Sequence, residues 1–121
     1  MDVTIYHNPN CSTSRKVLGM IRDAGENPTV VEYLKTPPDR ATLLAILDRA
    51  GLSVRGVLRR KAPAYDELGL DNPALSDEEL LGAIAANPVL IERPIVVTAQ
   101  GARLCRPVEK LLEILPGAKL P

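Results

Sequence analysis

The chain contains no tryptophan and no phenylalanine, and only 2% of its 121 residues are aromatic. A core must therefore be built from Leu, Ile, Val and Ala, which a 45% hydrophobic content supplies at a length typical of one domain. An excess of charge is missing too: 15 basic and 15 acidic residues give a formal net charge of zero. That excludes attachment to nucleic acid or to a membrane surface through bulk charge. No apolar run approaches the length that crosses a bilayer. The N-terminal stretch Met1 to Tyr6 lacks the basic start and long apolar segment of a signal peptide. A cytoplasmic, reducing location is the expectation. Two cysteines and one histidine are too few for a structural zinc centre, so neither a metal nor a bound cofactor is expected.

What is present divides into short periodic runs. Val3 to Tyr6 is β-rich and is ended by His7-Asn8-Pro9-Asn10. A helix is expected just after Cys11, with Ser12, Thr13 and Ser14 as capping candidates, Val17, Met20, Ile21 and Ala24 at helical spacing, and Gly25 closing it. Thr29 to Tyr33 reads as a second strand. Pro37-Pro38-Asp39 opens a helix with Leu43, Ile46, Leu47 and Ala50 on one face, ended by Gly51. Ser53 is a capping candidate for a short helix through Arg60. Ser76-Asp77-Glu78-Glu79 has the form of a capping box, and Asn87-Pro88 stops the helix it begins.

Ile95-Val96-Val97 and Ala102-Arg103-Leu104 flank Thr98 to Gly101 as a hairpin, and Val108, Leu111, Leu112 and Leu115 mark a last helix before Pro116-Gly117. The order β-α-β, helices, β-β-α predicts an α/β fold with a mixed four-stranded sheet of the thioredoxin-like type. A single domain over residues 1–121 is expected, with a helical insert at about 37–88.

The informative segment is His7-Asn8-Pro9-Asn10-Cys11-Ser12-Thr13-Ser14-Arg15, where the first strand meets the first helix. A thiol there faces unpaired backbone N–H groups and the positive end of the helix dipole, which favour the nucleophilic thiolate and can bind an oxyanion beside it. Arg15 and His7 are candidates for added positive charge. A lone cysteine is commonly a buried small hydrophobe, but Asn-Pro-Asn before Cys11 and Ser-Thr-Ser-Arg after it make a poor core setting. A Cys-x-x-Cys dithiol is excluded because the later position is Ser14. A phosphatase-type loop, with Arg six positions after Cys, is excluded because position 17 is Val17.

A cysteine attacking an oxyanion needs cations, and arginine suits that role because its planar fork stays charged and binds two oxygens at once. Arg59, Arg93 and Arg106 stand out. Arg93 precedes Pro94 at the start of an apolar strand, and Arg106 lies between Cys105 and Pro107. For any single arginine the plain alternative is a solvated surface charge. Pro94 is a candidate for a cis peptide bond.

Together these segments resemble one family. His7-Asn8-Pro9-x-Cys11-x-Thr13-Ser14-Arg15, Ser53-Val54-Arg55-x-x-Leu58-Arg59, Arg93 to Thr98, and Arg103 to Pro107 are similar to the glutaredoxin-coupled arsenate reductases, from Tyr6 to about Leu115. The resemblance implies a thioredoxin-like fold with a helical insert. It also implies reduction of arsenate to arsenite, with glutathione as co-substrate and glutaredoxin as transient partner. Cys11 would be the nucleophile, with Arg59, Arg93 and Arg106 on the oxyanion. His7 would help to lower the thiol pKa, and Ser14 and Arg15 would support the loop. Two features depart from the family: Ser12 stands where glycine is frequent, and the sequence ends soon after its last helix, where some relatives carry a longer tail.

Three other readings stay open at this level. One is a glutathione-dependent thiol oxidoreductase acting on another substrate, and another is a phosphate-binding sensor. The third is a non-enzymatic, polymerase-binding regulator, against which Ser14 argues because that branch commonly carries Cys-x-x-Cys. Cys105, at the end of an apolar strand, is expected to be packing rather than a resolving thiol.

Overall fold

A computed structural model describes residues 1–121. The chain divides into two compact units, one formed by Met1–Thr36 and Arg93–Pro121, the other by Pro37–Glu92.

The first unit holds the sheet. Strand β1 (Thr4–His7) leads through a loop into helix α1 (Ser12–Asp23) and back to β2 (Thr29–Glu32); β3 (Ile95–Thr98) and β4 (Gly101–Leu104) follow later in the chain. The spatial order is β2-β1-β3-β4, with β1 parallel to β2 and antiparallel to β3, and β3 antiparallel to β4. This is the mixed four-stranded sheet expected from the β-α-β and β-β runs.

Ser14, Val17, Met20 and Ile21 form the buried face of α1. The core they join includes Val3, Ile5, Val96, Cys105, Leu111, Ile114 and Leu115. Each large aliphatic side chain buried there contributes about 1.5–3 kcal/mol, which is how a core without Phe or Trp holds. Thr98 pins the hairpin to the C-terminal segment by donating to the Ile114 carbonyl at 2.7 Å, and its hydroxyl accepts from Gln100 N–H at 3.0 Å.

Two local expectations change. The closing segment Val108–Glu113 is a 3₁₀ helix rather than an α-helix. It follows Pro107, which can donate no backbone hydrogen bond, and its last turn closes through Ile114 N–H to the Leu111 carbonyl. At the start of α1, Cys11 itself holds the N-cap position, and no side-chain oxygen caps the helix. Ser12, Thr13 and Ser14 lie inside the first turn.

The second unit is helical: α2 (Arg40–Ala50), α3 (Pro63–Glu67) and α4 (Asp77–Ala86), with short 3₁₀ turns at Arg55–Val57 and Pro88–Leu90. The turn at Arg55–Val57 is shorter than the helix expected through Arg60, and α3 was not anticipated from the sequence. Asp39 caps α2 by accepting from Thr42 N–H, and Gly51 ends it in the left-handed conformation, φ +67°, which glycine adopts without steric cost. Ser76 and Glu79 form the full reciprocal capping box of α4. Leu58 and Ile91 make an isolated antiparallel bridge.

Candidate active site

Strand geometry brings distant sequence segments to one end of the sheet. In the antiparallel β1–β3 pair Tyr6 faces Ile95, and in the β3–β4 pair Ile95 faces Leu104. The chain leaving β1 toward Cys11, the chain reaching β3 through Arg93, and the chain leaving β4 through Arg106 therefore share that end. Arg93 comes from the entry to β3, the antiparallel partner of β1, and Arg106 from the exit of β4, one strand further along the sheet. The peptide bonds Arg93–Pro94 and Arg106–Pro107 are both cis. The second was not foreseen.

Cys11 is half-buried, and its sulfur is surrounded by donors. The Arg106 guanidinium approaches it at 3.8 Å through Nη1, the same nitrogen that donates to the Arg93 carbonyl at 3.1 Å. Arg93 also hydrogen-bonds the sulfur with its side chain, and the backbone N–H of Ser14 does so from the first turn of α1. Burial pushes the thiol pKa up. The Arg93 hydrogen bond, the Ser14 N–H, the Arg93 charge and the Arg106 hydrogen bond together outweigh it and bring the pKa down from 9.0 to about 7. Cys105 behaves in the opposite way. It has no exposed surface, and burial pushes its thiol up to about 12. Both cysteines are free.

The loop carrying Cys11 is fixed from inside. Ser14 is fully buried; its hydroxyl accepts from Asn8 N–H at 3.1 Å and shares a 2.6 Å hydrogen bond with His7 Nδ1. Cys11 N–H donates to the Asn8 carbonyl at 3.0 Å, and Asn10 N–H to Asn8 Oδ1 at 2.9 Å. The Arg15 side chain turns to the Pro9 carbonyl at 2.8 Å, closing the loop from outside. Burial lowers the His7 pKa, with Arg22 and Arg15 acting in the same direction and Glu32 opposing. The ring is therefore held neutral at pH 7 and reaches Ser14, whose N–H serves the sulfur.

Arg59 belongs to the helical unit. It donates to Glu92 Oε1 at 2.7 Å, and its backbone N–H to the Leu90 carbonyl at 2.7 Å. One residue that the sequence marked only as a strand end, Tyr33, belongs beside the Cys11 site. Tyr33, with no exposed surface, hydrogen-bonds both Arg93 and Asn8. The available signal was the parallel pairing itself: His7 faces Glu32, so the next residues, Asn8 and Tyr33, leave the sheet side by side.

Among the side chains there is no group of three or more His, Cys, Asp or Glu able to hold a metal ion, and no helix is long and apolar enough to cross a membrane. The arrangement suits one chemistry: a half-ionised thiol at neutral pH, with two guanidinium groups at its sulfur, can attack an electrophile whose oxygens carry negative charge.

Comparison with known proteins agrees. The model of the ArsC family matches residues 6–114. An arsenate reductase of Rhizobium meliloti (strain 1021) is 60% identical over 116 residues, covering 96% of this chain and 83% of that protein. An arsenate reductase of Escherichia coli (strain K12) is 50% identical over 118 residues, covering 98% and 84%. The solved structure of an arsenate reductase from Vibrio cholerae superposes with a TM-score of 0.90 at 46% identity, covering 95% of this chain and 98% of that one. The fold is the thioredoxin-like one expected, and the chain belongs to the ArsC family.

Proposed function

We propose that this protein reduces arsenate to arsenite, with Cys11 as nucleophile and glutathione and glutaredoxin as external reductants, in the cytoplasm. The observation that carries the reading is the Cys11 sulfur held by Arg93, Arg106 and the Ser14 N–H, with its pKa brought down to about 7.

The Cys11 thiolate attacks arsenic, and an arsenate oxygen leaves as water after taking up protons. Arg93 and Arg106 stabilise charge on the remaining oxygens. A glutathione thiolate adds to the thiol-bound arsenic, releasing a second water. A glutaredoxin thiolate then attacks the glutathione sulfur; a mixed disulfide forms, the sulfur–arsenic bond breaks, and its electron pair stays on arsenic, which becomes As(III). Water displaces Cys11, and arsenite departs. Ser14 in place of a second cysteine fits a reductant supplied from outside. His7, Ser14 and Arg15 hold the loop. For Arg59 as a third oxyanion ligand the support is the sequence pattern alone.

The test is a coupled assay with arsenate, glutathione, glutaredoxin, glutathione reductase and NADPH. Arsenite should form only when arsenate, glutathione and glutaredoxin are all present, with glutathione reductase and NADPH recycling the glutathione and reporting the turnover. NADPH consumption independent of arsenate, or arsenite formation undiminished without glutaredoxin, would overturn the scheme.

A further inference from the structure

Tyr33 has no exposed surface. A phenolic hydroxyl buried that completely needs polar partners, and here they are Asn8 and Arg93. Arginine can only donate, so the Tyr33 oxygen accepts from the guanidinium. The same guanidinium hydrogen-bonds the Cys11 sulfur. Asn8 is itself immobilised: it is buried, its Oδ1 accepts from Asn10 N–H at 2.9 Å, and its carbonyl accepts from Cys11 N–H at 3.0 Å. Asn8, Tyr33, Arg93 and Cys11 therefore form a closed circuit of hydrogen bonds around the nucleophile. Nothing in the oxyanion chemistry above requires a phenol, yet one is buried at the back of the cation.

An arginine side chain has several freely rotating bonds, and a cation stabilises a transition state most when its orientation is set before reaction. Arg106 is oriented by the Arg93 carbonyl. Arg93 needs a fixed acceptor of its own. We propose that Tyr33 is a positioning residue: by accepting from Arg93 it holds that guanidinium against the Cys11 sulfur, and so sets how strongly the site favours an anionic reaction partner there. Burial raises the Tyr33 pKa against the opposing effects of Arg93 and Asn8, so the hydroxyl stays neutral and does not cancel the arginine charge.

The proposal rests on the reading of Cys11 and Arg93 as an oxyanion site, but its test uses no arsenate, so either can fail alone. Alkylation of Cys11 in the intact protein is timed with anionic iodoacetate and neutral iodoacetamide, and the iodoacetamide rate is followed against pH. The proteins are wild type, Tyr33→Phe, Arg93→Ala and the double variant.

Tyr33→Phe should lower the iodoacetate-to-iodoacetamide rate ratio about threefold to tenfold, the scale of one net hydrogen bond. It should also raise the pH midpoint. In the Arg93→Ala background the same change should add nothing, because Tyr33 acts through Arg93. A ratio and midpoint left at wild-type values, even with a lowered melting temperature, would assign Tyr33 to packing and overturn the proposal. So would an equal further drop in the double variant. Should Tyr33→Phe fail to fold, ¹⁵N spectra of the wild-type guanidinium groups decide. Restricted rotation at Arg93 supports the proposal, and free rotation overturns it.

Discussion

Arg106 Nη1 lies 3.8 Å from the Cys11 sulfur, 95 residues away in sequence, and the same nitrogen donates to the Arg93 carbonyl at 3.1 Å. One guanidinium thereby touches the Cys11 thiol and the backbone of the second arginine. The three residues are placed as one unit, by strand pairing rather than by loop adjacency.

Cys11 should be the one reactive thiol. Iodoacetamide labelling located by mass spectrometry should fall on Cys11 with a pH midpoint of about 7, while Cys105, with its thiol pushed up to about 12, stays unlabelled in the native state. Cys11→Ser should abolish arsenate reduction, since a hydroxyl is a far weaker nucleophile without an adjacent base. Cys105→Ala should keep most of it. A folded but inactive Cys105→Ala would replace the external-thiol scheme with an internal disulfide.

Arg93→Lys and Arg106→Lys keep the charge but lose the planar fork. Each should lower turnover ~10²–10³-fold, the usual effect of losing one oxyanion donor. Circular dichroism checks the fold. Turnover at wild-type level in both would reduce these arginines to structural charges.

Stability should report the same thiol. The Cys11 pKa is about 7 in the folded state against 9.0 in its absence, a depressed acid. Its contribution is complete above pH 9 and fades as pH falls through 7. Cys105 has its effect above pH 9, where its raised pKa opposes ionisation, so the interval from 7 to 9 isolates Cys11. Urea unfolding should therefore show wild type gaining stability over Cys11→Ser between pH 7 and pH 9. A constant difference across that interval would deny the folded state its thiolate preference.

Ser14→Ala removes the acceptor of Asn8 N–H and the partner of His7 Nδ1. Leaving that N–H buried and unsatisfied costs about 1–3 kcal/mol, read as a lowered urea midpoint at unchanged slope. The Ser14 backbone N–H remains in the variant, so the Cys11 midpoint should shift less than in Arg93→Lys. A larger shift would mean that the hydroxyl, not the amide, controls the thiol.

Ser76→Ala breaks the capping box of α4. A stability loss of ~1 kcal/mol is expected, with arsenate turnover unchanged at 25 °C. A fall in turnover at full folding would connect this cap to the chemistry.

Local interactions made much of this molecule legible in its sequence. The stripe Val17, Met20 and Ile21, the Asp39 cap, the Ser76–Glu79 box and the alternation along Ile95 to Thr98 each follow from neighbours a few residues apart. So does the placing of Cys11 where a strand gives way to a helix. The identity of the true cap did not follow. Ser12, Thr13 and Ser14 are the better capping residues by type, yet Cys11 holds the position, because β1 must turn at Asn8 for Ser14 to face inward.

What the sequence determined by itself was the strands, most of the helices, the place of Cys11 between strand and helix and the arginine-bearing segments, because backbone periodicity and turn chemistry are properties of short stretches. What only the tertiary structure decided was which groups meet at the sulfur. The β1–β3 and β3–β4 registers bring Arg93 and Arg106 to Cys11, while the parallel β1–β2 pair sets Tyr33 behind Arg93. His7 is turned to Ser14, Arg15 to the Pro9 carbonyl and Arg59 to Glu92. Those outcomes depend on strand register and on which donors find acceptors once water is excluded. Both are long-range quantities, and no window of sequence contains them.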